Sequence, residues 1–143
     1  MKDGQGWIRC DAIQKTSYNS RVGVPRSGSL EGALSDGVPR KFRGCVKKWP
    51  KVDQAVRFTS CAEFHQAELI PDSLFLGPPD GRYPGVNTAI ARSKNFCEGI
   101  FQNYVPETDR YYYYYPTADS WKSGSHNTTC WALDITGDRL PPL

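Results

Sequence analysis

Five cysteines, at positions 10, 45, 61, 97 and 130, constrain this chain more than any other feature. Their spacings of 35, 16, 36 and 33 residues include no close pair of the Cys-x2-Cys kind with which zinc sites are built. Wide, regular spacing in a small domain fits disulfide staples. The plainer alternative is a set of buried cytosolic thiols. The need for staples is visible in the aliphatic content. Leu, Ile, Val and Phe together make 28 of 143 residues, close to the level at which chains stay disordered. Disorder also requires high net charge and few aromatics, whereas the net charge is +3 and aromatics reach 13%. A folded core must therefore lean on tyrosine, tryptophan and cysteine. Two bridges and one leftover thiol follow, in any of fifteen arrangements that spacing does not separate. The odd cysteine suggests a partner outside this chain.

The 143 residues suit one domain. No apolar run approaches the roughly 20 residues that span a bilayer. Met1-Lys2-Asp3-Gly4 opens no signal-peptide pattern, so the chain reads as a piece of something longer. Charge is divided unevenly. Up to Arg57 there are 12 basic against 5 acidic residues, and from Phe58 onward 6 against 10. Half of the first group crowds into Arg40, Lys41, Arg43, Lys47, Lys48 and Lys51. Such a stretch suits anionic partners or is simply a solvated loop. With only Trp49 and Phe42 nearby it lacks the aromatic interleaving of single-strand binders, so nucleic acid is not expected.

Residues 1–42 are rich in Gly, Ser, Pro and Arg and carry little apolar periodicity. Val56, Phe58 and Ser60 alternate with Arg57 and Thr59 as a strand would. Gly77-Pro78-Pro79-Asp80-Gly81 is a turn. Val86, Ile90, Cys97, Ile100, Phe101 and Tyr104 recur at helical spacing and predict a helix over about 86–104, ended by Pro106. Tyr111 to Tyr115 form an unbroken run. Alternation sends Tyr111, Tyr113 and Tyr115 to one face and Tyr112 and Tyr114 to the other. The odd-numbered set, with Trp121, is a candidate binding face, or else one core face of an ordinary strand. A last strand is expected over roughly 127–134.

Catalytic signatures are missing: there is no Gly-x-Ser-x-Gly, no phosphate-binding glycine loop and no His-Glu-x-x-His. The one compact polar constellation is Cys61-Ala62-Glu63-Phe64-His65-Gln66-Ala67-Glu68. A metal could be held by His65, Glu68 and His126. Against that stands a structural hydrogen bond at His65 and an arginine partner for Glu68. A nucleophilic Cys61–His65 pair would lose its thiol in an oxidising compartment. Asn127-Thr128-Thr129 is formally a glycosylation acceptor.

Cys45-Val46, then Val56 to Cys61, then His65-Gln66-Ala67-Glu68-Leu69-Ile70 resemble the opening of the actinobacterial septum-formation domain. Cys97 within the helix, Tyr115-Pro116, Trp121-Lys122-Ser123-Gly124 and Cys130 continue the ordered series over about residues 43–140. Phe64 departs from the family's usual proline, and Ser123 and Ser125-His126 from a more charged stretch. The resemblance implies an extracytoplasmic module of a membrane-anchored envelope protein, with no catalytic residue to carry over. It also makes residues 1–42, with Trp7 and Cys10, look like the tail of a preceding copy, and residues 43–143 the domain itself.

The expected fold is α+β: a small antiparallel sheet packed by one main helix and stapled by two disulfides. The first choice of pairing is Cys61–Cys97 with Cys45–Cys130, leaving Cys10 unpaired; the alternative joins Cys10 to Cys45. The expected function is non-catalytic binding of an envelope protein or cell-wall component, through the tyrosines, Trp121, Lys47 and Lys48, without a cofactor. The alternatives are a metal-dependent hydrolase using His65 and Glu68, or a purely structural ectodomain.

Overall fold

A computed structural model describes residues 22–23, 43–51, 54, 56–106, 108, 110–134 and 140. The proposed N-terminal remnant and Cys10 lie outside this set, apart from Val22 and Gly23. Within it, β1 (Cys45–Val46), β2 (Phe58–Thr59), β3 (Ala67–Leu69), α1 (Val86–Tyr104), β4 (Arg110–Tyr114), α2 (Ala118–Lys122) and β5 (Thr129–Leu133) follow in chain order. The five strands form one sheet in the order β2-β1-β3-β5-β4, with every pairing antiparallel.

The helix runs over the predicted span because its buried side chains Ala89, Ser93, Cys97 and Phe101 recur every fourth residue. It enters from Gly85, whose φ of 89° is open to glycine but strained for other residues. It ends where Val105 N–H closes on Phe101 O, one residue before Pro106. Ser93 reaches from its inner face to Thr128, a buried hydroxyl pair 2.6 Å apart.

Register divides the sheet cleanly into two faces. Cys45, Glu68, Ala132 and Tyr111 stand in one row across it. Side chains of that parity, with Cys130, Ile70 and Tyr113, pack beneath α1 on Cys97, Phe101 and Val105. The opposite parity carries Val46, Ala67, Leu133 and Trp131, and no helix among the described residues covers it. Packed against it are Trp49 and Val56 from the segment between β1 and β2, with Phe58 of β2 and Leu69 of β3. A third, smaller cluster joins Leu76, Ala89 and Trp121.

Two disulfides are present, but not in the expected pairing. Cys45 joins Cys61 across 5.3 Å between Cα atoms, and Cys97 joins Cys130 across 5.5 Å. Cys97 does occupy the apolar face of the helix. The strands beneath that face, however, are β4 and β5, not β2, which sits at the far edge of the sheet. Cys61 instead follows β2, which pairs with β1, so its nearest cysteine is Cys45. Adjacent strands fixed each partner.

Candidate functional site

The polar cluster singled out around His65 is assembled, and it is sealed. Glu68 projects from β3 toward the helix side, and its side chain and that of His65 are fully buried. His65 Nε2 lies 3.0 Å from Glu68 Oε1, and Nδ1 lies 2.7 Å from the Glu63 carbonyl. Both ring nitrogens thus face oxygen atoms within hydrogen-bond distance. Arg43 Nη1 stands 3.5 Å from Glu68 Oε2 and donates to the Tyr104 carbonyl at 3.0 Å. Its guanidinium also lies 5.2 Å from the centre of the Tyr104 ring. The cation thereby meets the carbonyl end of α1, where positive charge is favoured. Backbone bonds from His65 to Leu140 in both directions complete the enclosure.

Ligand atoms of Cys45, His65 and Glu68 lie within 4.8 Å of one another. The Cys45 sulfur is committed to Cys61, so it offers no thiolate to a metal. His126, the third ligand considered from sequence, belongs elsewhere. Its ring stacks on Trp121 at 4.0 Å, and its nitrogens face the carbonyls of Gly77 and Trp121. Trp121 is itself buried and donates its indole N–H to the Gly81 carbonyl at 2.7 Å. This pair clamps the Gly77–Gly81 turn to α2, which Thr117 and Ser120 cap reciprocally. Trp121 is therefore part of the framework and presents no face for a ligand.

The tyrosine run alternates as expected, with the faces assigned the other way round. Tyr111 and Tyr113 pack half-buried against the helix-side core, and Tyr115 against the Trp121 cluster. Burial, and then the negative charge of nearby Glu98, push the Tyr111 phenol above its ordinary pKa. Tyr112 and Tyr114 are the exposed pair, at 42% and 44%. Their rings meet edge to face at 5.1 Å, and Tyr112 touches Trp49 at 5.4 Å. Trp49 in turn leans on Trp131, and its backbone N–H is held by Gln66 Oε1 at 2.8 Å. An aromatic track thus crosses the face of the sheet opposite α1.

At its Trp49 end the track opens into a cleft of about 790 Å³. Lys47, Lys48, Lys51 and Arg57 line it, with Trp49 and Phe58, and none of the described lining residues is acidic. The nearest counter-charge described is Glu63, 3.7 Å from Lys47. Four cations beside two aromatic rings make a concave site with a single sign of charge.

A sequence model described as Septum formation matches residues 1–130. The chain belongs to the Septum formation family. Comparison with curated proteins and with solved structures returned no match. The two disulfides of this septum-formation domain point to an extracytoplasmic setting. No helix among its described residues is long and apolar enough to cross a membrane.

Sequence reasoning named Lys47 and Lys48 but did not bring Arg57 and Phe58 into the same cleft, nor single out the exposed Tyr112 and Tyr114. The signal for the tyrosines was present, since alternation separates the two sets. What decides the outward set is the register Tyr112↔Trp131, which places it opposite the helix.

Proposed function

We propose that this is a non-catalytic binding domain of a membrane-anchored envelope protein, acting in septum formation, and that it engages a wall component or envelope protein through the Trp49–Tyr112–Tyr114 face. One observation carries this reading: the sheet face opposite α1 leaves two adjacent tyrosines in solvent beside a cation-lined cleft. Tyrosine and tryptophan suit such a surface because they combine large apolar area with few rotatable bonds. The buried Arg43–Glu68–His65 cluster supports the non-catalytic side of the reading, since a substrate has no route to fully buried groups.

Co-sedimentation of the purified chain with isolated actinobacterial envelope tests the proposal. The wild-type chain should pellet with envelope, and Tyr112→Ser/Tyr114→Ser should weaken this about tenfold, or about 1.4 kcal/mol. Retention of full binding by that variant removes the face from the argument. No association at any salt concentration favours a purely structural ectodomain. Stoichiometric zinc in the purified protein, lost in His65→Ala, would instead revive the hydrolase.

A further inference from the structure

We propose that the ligand of this surface is an acidic polysaccharide, its charged groups held by Lys47, Lys48, Lys51 and Arg57 while its sugar rings lie on Trp49 and Tyr112. The inference rests on the binding role of the face and adds the chemical class of the occupant. Two properties must be met together. The cleft concentrates four cations with no carboxylate among its described lining residues, which suits an anion. Its aromatic wall does not end at the rim but continues through Trp49 to Tyr112 and Tyr114, with ring centres 5.4 Å and then 5.1 Å apart. A track of rings demands a ligand with repeated flat, weakly polar surfaces.

The C–H face of a pyranose is such a surface, and a sugar acid carries the anion on the same unit. Lysines suit this partner because a point charge on a flexible stem tolerates variable spacing of the acidic groups. The other polyanions meet only part of the pattern. An acidic peptide answers the charge and leaves the rings without a regular partner. A bilayer surface requires protruding apolar side chains, whereas here the cations line a concavity. Single-stranded nucleic acid supplies both charge and flat rings, but the two disulfides point to a compartment outside the cytoplasm.

Isothermal titration of the full chain with five probes separates these cases: polygalacturonate, neutral dextran, polyglutamate, poly(dT) and vesicles containing phosphatidylglycerol. Polygalacturonate should bind best, and its affinity should fall as salt rises. Charge reversal at two exposed lysines, Lys48→Glu/Lys51→Glu, should weaken it at least about tenfold while leaving thermal unfolding in place. Tyr112→Ser should weaken it about threefold without altering the salt dependence. Equal affinity for polyglutamate or dextran overturns the proposal, as does tighter binding of poly(dT) or vesicles. If polygalacturonate fails while envelope still binds through Tyr112 and Tyr114, the ligand class is wrong and the surface stands. If both fail, both readings fall.

Discussion

The two faces of the sheet are built from alternate residues of the same strands, yet they are finished in different ways. Beneath α1 the chain places a disulfide, a buried ion-pair cluster and half-buried tyrosines against Phe101 and Val105. On the other side, among the described residues, Trp131 and Leu133 are covered by Trp49, Val56, Phe58 and Leu69, and Tyr112 and Tyr114 are exposed. Trp131 keeps a buried indole N–H without an acceptor among the described residues. In a chain poor in aliphatics, closing one face firmly leaves the other free to be specialised for contact.

The sharpest way to break this contrast is to attack the ion cluster beneath the helix. Arg43→Met should destabilise the fold by roughly 3–5 kcal/mol, because it withdraws a cation from a carboxylate buried with it. Urea unfolding measures this. Arg43→Met/Glu68→Leu should recover much of the loss, since the cost lies in the charge left behind. Equal instability of the double variant would mean that packing, and not charge, sets the value of the cluster.

Next in size is the helix-side bridge. Cys97→Ser/Cys130→Ser opens a loop of sequence separation 33 and should cost roughly 3–4 kcal/mol in the same assay. It removes the covalent tie between α1 and β5, so amide exchange should rise in the helix first. Protection lost equally on both faces would show that the two faces do not differ in local stability.

How much of this was legible beforehand follows from the physics of each element. The helix was readable because Val86, Ile90, Cys97, Ile100, Phe101 and Tyr104 follow a spacing set by local geometry, although the face it buries is Ala89, Ser93, Cys97 and Phe101. The disulfide pairing was not, because it depends on strand order, and β1 and β2 are two residues each, too short to show a period. The tyrosine alternation was readable, but its outward side was set by a register with Trp131 that no local signal carries. The cleft was only half visible. Lys47 and Lys48 are contiguous, whereas Arg57 and Phe58 reach them only once β1 and β2 pair.

The mildest test is alkaline titration of the tyrosines. Tyr104 is held above its ordinary pKa chiefly by its hydrogen bond to Asp72, and Tyr111 chiefly by burial. A phenol whose folded pKa exceeds its unfolded value of about 10 stabilises the fold fully below that pH. The contribution is lost as pH rises through the folded values. Stability should therefore decline above about pH 10, with Tyr104 and Tyr111 ionising late in ultraviolet titration. Removing the Asp72 bond with Asp72→Asn should bring Tyr104 back toward ordinary behaviour and leave Tyr111 unchanged. A simultaneous shift of both would mean that the decline reports general unfolding.

The Cys45–Cys61 bridge has a consequence apart from stability. With a sequence separation of 16, it ties together the two ends of the segment that supplies every lining residue named for the cleft. The segment is thus a covalent ring hung on the edge of the sheet, its shape limited before any ligand arrives. Ordering cost is met at folding and not at binding. Selective reduction of this bridge should therefore loosen recognition, and the cover that Trp49, Val56 and Phe58 give Trp131, before it loosens the frame beneath α1.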